Sequence, residues 1–260
     1  MDSDSPVEHP LVALLIEDVK PLVKAGLESS VRGLFEKGRG ARDASSLELP
    51  ELEYYYLMSY KKISNLVSAI DTLERIEHFV RWLPPQRRFR ELRLSQERWL
   101  DYHYSYHLVV MSSLVDLALL AINEVLRLGI PEKSCKYKDI EANYWVRRHK
   151  LSDALKTLDS QTQKHRSRRN SFVHHGERPD LAEIIESEDY DVLTLVAGAN
   201  AMSRQPLAGA TLFNEAFKTE IERLVTVMQR ERRSAARSVK TLFGALQPVY
   251  EAQVTALGRA

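Results

Sequence analysis

The chain has 260 residues, a net charge of +1, 44% hydrophobic and 28% charged residues. That length gives one large domain or two small ones, with a core that needs no covalent staples. The charge balance excludes a wholly basic nucleic-acid coat and an acidic tail protein. A single cysteine, Cys135, excludes a disulfide framework and a cysteine-based zinc site, and predicts a cytoplasmic location. The start, MDSDSPVEHP, has no apolar run of the signal-peptide kind. The most apolar stretch, 108–122, is interrupted by Ser112, Ser113 and Asp116. It reads as too short and too polar to span a bilayer, so no membrane association is expected.

Glycine and proline fall in clumps at Pro50, Pro84–Pro85, Gly129–Pro131, Gly176–Pro179, 198–209 and Gly244–Pro248. These residues punctuate helices, so the long gaps between clumps predict an all-α chain. Seven helical segments are expected. The first spans about 10–37 and contains Pro21. The second follows Pro50 to about 82, with Ile63, Leu66, Ile70 and Leu73 at helical spacing. The third runs from Ser95 to Gly129 and the fourth over about 138–149. The fifth starts with Ser152 as N-cap and stops at Gly176. The sixth opens at Asp180, with Glu183 completing a capping box. The last runs from about 210 past the 240s. The segment 38–49 is the best domain boundary. It divides an N-terminal helical extension and linker (1–49) from a helical domain (50–200). A C-terminal helical extension (201–260) is expected to pack on that domain.

Two helices break their own pattern. The third is apolar nearly all round, which makes it central. One polar line runs along it through Arg98, Asp101, Ser105, Ser112, Asp116 and Asn123. It is read either as a thin solvent-facing strip or as the lining of a cleft, with Ser112, Asp116 and Asn123 as candidate lining. The fifth helix carries an apolar line Leu151, Leu155, Leu158 that continues as Thr162, His165, Arg169 and Val173. A guanidinium on a packing face needs a partner, a second subunit or an anion. From Arg147 to Arg178 there are nine Lys/Arg against three acids. This local basic patch suits a phosphate-containing ligand.

Within that patch, Arg169-Asn170-Ser171-Phe172-Val173-His174 resembles the HEPN superfamily, small all-helical proteins with an Arg-x4–6-His motif often written RN-x3-H. The resemblance covers about 50–200 and implies a HEPN-type helical bundle with additional N- and C-terminal helices. It implies a metal-independent endoribonuclease, of toxin–antitoxin or defence type, that cleaves RNA through 2′-OH attack. Arg169 would hold the scissile phosphate, His174 would transfer protons, and Asn170 would orient the motif or bond the substrate. Lys164, Arg166, Arg168 and His175 are the expected substrate-binding side chains. A homodimer, with two motifs lining one cleft, and an antitoxin or regulatory protein are the implied partners besides RNA. The alternative is a non-catalytic HEPN-like module that binds RNA, nucleotides or another protein. A structural scaffold in which Asp116 ties up Arg169 is the third reading. On an ideal helix, positions five apart are about 140° from each other. Arg169 and His174 therefore share a face only if the helix end is distorted or Arg169 reaches round, and a dimer whose two motifs line one cleft relaxes this demand.

No cofactor is expected, because the chain has no P-loop, GxGxxG or nucleophile elbow. No metal is expected either. His103 and His107 have the spacing of a helical zinc pair, but the nearby sequence supplies no third ligand.

Overall fold

The helices follow most of the glycine and proline punctuation, but the expected break at Gly244–Pro248 is absent: the helix Ala210–Leu257 runs through it, as the helix Pro10–Lys37 runs through Pro21. The computed structural model describes residues 5–37, 49–84, 86–92, 94–202 and 210–259. The elements are α1 (Pro10–Lys37), α2 (Glu51–Arg81), α3 (Gln86–Leu92), α4 (Gln96–Val125), α5 (Tyr137–Ala142), α6 (Tyr144–Arg148), α7 (Leu151–Asn170), α8 (Leu181–Ile185), α9 (Glu188–Met202) and α10 (Ala210–Leu257). There is no strand among the described residues, and the fold class is all-α. Almost all of the expected boundary segment 38–49 lies outside the described residues.

Four further details differ from the sequence expectation. A short helix, α3, that the sequence reading did not include covers Gln86–Leu92. The expected fourth helix is split into α5 and α6 at Asn143. That residue is extended (φ −66°, ψ 134°), and its side chain caps α6 by accepting from the Trp145 N–H at 2.9 Å. Asp180 does cap α8, accepting from Glu183 N–H at 3.0 Å, but Glu186 in the left-handed region (φ 53°) separates α8 from α9. Ser152 is not the cap of α7; the helix already includes Leu151, and the buried Ser152 hydroxyl has no hydrogen-bond partner.

The chain divides into two compact units. The first comprises Met1–Ser68, Val115–Leu158 and Ala236–Ala260. Its core gathers Leu11, Leu15, Ile63, Leu66, Ile122, Leu155, Phe243 and Leu246. Tyr55 and Tyr250 stack with ring centroids 5.5 Å apart. Their hydroxyls donate to the Val125 carbonyl (3.0 Å) and to Asp18 (2.6 Å), so two buried phenols are satisfied.

The second unit comprises Ala69–Leu114 and Asp159–Ala235. Leu73, Ile76, Leu100, Tyr104, Leu108, Met111, Leu224 and Met228 form its apolar centre. Glu77 and Arg232 pair inside it at 2.7 Å. The α2, α4, α7 and α10 helices each contribute residues to both units. The α4 helix is long and apolar enough to cross a bilayer, unlike the shorter run read from sequence, and 61% of its most apolar window is buried inside the protein.

Candidate active site

The site grows out of the end of α7. Leu151, Leu155, Leu158, Thr162 and His165 are fully buried along one line. One chain therefore buries Thr162 and His165 without a second subunit. The line emerges at Arg169, which is half-buried, and ends at Val173, which is 53% exposed.

At that point the helix changes pitch. Ser171–His175 form a π turn, closed by Gly176 in the left-handed conformation (φ 69°). Gly176 N–H donates to the Phe172 carbonyl at 3.1 Å and Glu177 N–H to the Ser171 carbonyl at 3.4 Å. Glycine takes this conformation without the Cβ penalty that other residues incur. A π turn bonds residues five apart rather than four, and such bulges gather at functional sites. A π turn advances by less than about 100° per residue, which reduces the offset of about 140° expected between Arg169 and His174 on an ideal helix. Asn170, His174 and His175 are all exposed.

The surrounding cations differ from Arg169 in one respect. Lys164 pairs with Glu231 at 2.6 Å, Arg166 with Asp159 at 2.7 Å, Arg168 with Glu183 at 3.2 Å, and Arg178 with Asp101 at 3.7 Å. Among the described residues Arg169 has no acidic partner, and its buried Nε has no acceptor. The scaffold reading, with Arg169 held by Asp116, is not what the structure shows. Asp116 is exposed and belongs to the other unit.

The polar line of α4 performs separate tasks. Ser112 donates to the Val109 carbonyl of its own helix at 2.9 Å. Asn123 clamps the following turn, donating to the Ile130 carbonyl (2.8 Å) and accepting from the Ile130 N–H (3.1 Å). Of the candidate lining, Ser112 belongs to the second unit with the motif, and Asp116 and Asn123 to the first. Asp101 is different. Burial pushes its carboxyl up to about 6, the negative charge of Glu97 adds to this, and Arg178 and Arg98 oppose it.

The folded pKa of Asp101 thus lies above the ordinary carboxylate value of 3.8. Stability present below pH 4 is lost as pH rises towards 6, because the folded state must ionise a buried group. Asp101→Asn is expected to stabilise the protein at pH 7 by up to about 3 kcal/mol. The gain should vanish below pH 4; urea midpoints measured from pH 3.5 to 8 check it.

Two features lie outside the motif. The first is a group of rings in the second unit. His103 stacks on Phe79 (5.5 Å, 6° between planes) and meets Trp99 edge-on at 4.4 Å, so it is a packed ring rather than half of a zinc pair. Beside it Phe79, Trp82, Tyr102 and Tyr106 are 47–60% exposed. The second is a buried polar cluster. His107 Nε2 lies 3.1 Å from Glu231 Oε2, and His165 Nε2 lies 3.7 Å from Glu231 Oε1. Burial lowers His165 to about 4, against the attraction of Glu231. Burial opposes ionisation of Glu231, but the His107 hydrogen bond, the two histidine charges and Lys164 hold it at about 2. The three residues come from α4, α7 and α10, so no local spacing announces them.

An all-helical chain with an Arg/His motif on a distorted helix end has the features of a HEPN domain. The chain matches the family model described as HEPN_Cthe2314-like HEPN over residues 49–207, and it belongs to that family. Comparison with curated proteins and with solved structures gave no match.

Proposed function

We propose that this HEPN domain is an endoribonuclease that cleaves RNA through its own 2′-OH without a catalytic metal. The observation that carries the reading is Arg169: a guanidinium without an acidic partner among the described residues, at the end of α7, two residues before the π turn that carries His174, in a stretch whose other arginines are paired. Attack of the 2′-oxygen on the adjacent phosphorus breaks the bond to the 5′-oxygen. It leaves a 2′,3′-cyclic phosphate and a 5′-hydroxyl. The reaction needs a base for the 2′-OH, an acid for the leaving oxygen and a fixed cation for the phosphorane. Histidine titrates in the required range, and arginine matches phosphate oxygens. One His174 cannot take both proton-transfer roles at the same moment. A homodimer, which supplies two copies to one cleft, is therefore part of the proposal. Exposure of Val173, His174 and His175 at the helix end supports it.

The reading extends to a cytoplasmic toxin or defence effector restrained by an antitoxin or other regulatory protein. The test of the chemistry is incubation with single-stranded RNA in excess EDTA. Cleavage should persist, leave 2′,3′-cyclic ends and spare DNA. Binding to RNA without cleavage across a broad substrate panel would instead establish the non-catalytic module.

The exposed rings provide a second handle on RNA. Bases stack on aromatic side chains with little sequence preference, each contact contributing about 1–3 kcal/mol. Trp82→Ala and Tyr102→Ala should therefore each weaken single-stranded RNA binding by roughly 5- to 100-fold. Both side chains are exposed, so the thermal midpoint should stay put; fluorescence anisotropy with a labelled oligonucleotide reads the loss.

A further inference from the structure

We propose that His107, His165 and Glu231 form a site for one divalent transition-metal ion of the zinc class, which binds in competition with the ammonium of Lys164. The inference is independent of the RNA reading. The two histidines are fully buried and the carboxylate is 7% exposed. One ligand atom from each residue lies within 4.8 Å of the other two. Zinc bonds of about 2.0–2.1 Å to nitrogen and oxygen, arranged tetrahedrally, set donors roughly 3.3 Å apart. His107 Nε2 lies 3.1 Å from Oε2 of Glu231 and His165 Nε2 lies 3.7 Å from Oε1, so each imidazole is near that spacing from its own carboxylate oxygen, and a small movement of the carboxylate brings one oxygen to both.

The cluster as it stands is incomplete. His165 has no exposed surface, and neither of its ring nitrogens has a hydrogen-bond partner. Buried polar atoms are normally satisfied, so an orphaned imidazole aimed at a carboxylate and a second imidazole points to a missing ligand. Two neutral imidazoles and one carboxylate are a donor set that suits zinc. Three protein ligands leave a fourth position for water. A groove of about 630 Å³, lined by Met111, Ser160, Gln161, Lys164, Arg230 and Ser234, reaches both His165 and Glu231. It supplies the entry path and the solvent ligand.

Lys164 explains how the cluster persists without an ion. Its ammonium sits 2.6 Å from Glu231 Oε1 and compensates the buried charge. Its side chain is 54% exposed, so it can swing into the groove when a doubly charged ion takes its place. The device is an exchange of one cation for another at a single carboxylate.

The experiment uses the full chain, freed of metal with a chelator and dialysed. Zinc is titrated against it in competition with a chromogenic zinc indicator, and cobalt(II) replaces zinc for visible spectroscopy. One tight equivalent per chain is expected, with a raised thermal midpoint and the visible bands of tetrahedral cobalt. His165→Gln and His107→Gln should each lose that equivalent. Lys164→Met keeps all three ligands, so it tests the exchange without removing a donor. Its side chain is half-exposed, and removing the competing charge should tighten zinc binding by roughly tenfold. Three results would overturn the proposal. Wild type could bind no zinc at micromolar concentration. The equivalent could survive in folded His165→Gln and disappear in a His174→Ala/His175→Ala double variant, which would assign it to exposed histidines. Lys164→Met could leave the affinity unchanged.

Discussion

His174→Ala is expected to lower the rate of RNA cleavage by about 10²–10⁴-fold, the range for a residue that moves a proton in the transition state. Arg169→Ala should cost about 10²–10³-fold, the loss of one preorganised charge at the phosphorane. The neighbouring variants separate the motif from the basic patch around it. His175→Ala should matter little, since His175 is off the motif spacing although equally exposed. Lys164 and Arg166 are already engaged with Glu231 and Asp159. Their replacement by alanine should weaken binding and reduce its salt dependence by about one unit of slope each, with the rate of the bound complex unchanged. Single-turnover rates at saturating protein separate the two classes. Equal cleavage by wild type and both motif variants would assign the activity to another site. Arg169→Lys is the sharper control. It keeps the charge but loses the planar fork, so recovery should be partial at most.

The parts of this picture that were legible in the sequence are those carried by local pattern. Long helices bounded by glycine or proline were readable because those residues are disfavoured in helix interiors, although α1 runs through Pro21 and α10 through Gly244 and Pro248. The end of α7 at Gly176 and the cap at Asp180 followed from single-residue conformational preferences. The breaks at Asn143 and Glu186 were not legible. Asn143 is a good N-cap type, but the residues around it read equally well as one continuous helix, and glutamate has no preference for the left-handed conformation that Glu186 adopts. The motif Arg169–His174 was visible as spacing, while its π turn was not, since the same residues read equally well as a regular helix. The His107–His165–Glu231 cluster was least accessible. His107 and Glu231 are 124 residues apart, and only the crossing of three helices unites them. The one sequence signal was His165 on an otherwise apolar line, which the alternative of a dimer contact explained equally well.

Arg232→Met should destabilise the protein by about 3–5 kcal/mol, the cost of leaving a buried charge without its partner. Arg232 Nε donates to Glu77 Oε1 at 2.7 Å, and both side chains are only 4% exposed. Burial raises the Glu77 carboxyl above the ordinary range even in the intact pair, where Arg232 opposes the shift. Without Arg232 that opposition disappears, and the carboxyl should move further up. The sign of the pH response follows. A carboxyl whose folded pKa exceeds its unfolded value loses stability as pH rises, because the folded state must then carry the bare charge. The variant should therefore recover part of its deficit as pH falls and Glu77 takes up a proton. Glu77→Leu/Arg232→Met should regain most of the loss at every pH, since two apolar side chains leave no charge to desolvate. Urea unfolding of the single and double variants at pH 5 and pH 8 measures all three effects. A double variant as unstable as Arg232→Met would show that the other interactions of Arg232, rather than its pairing with Glu77, hold this part of α10 in place.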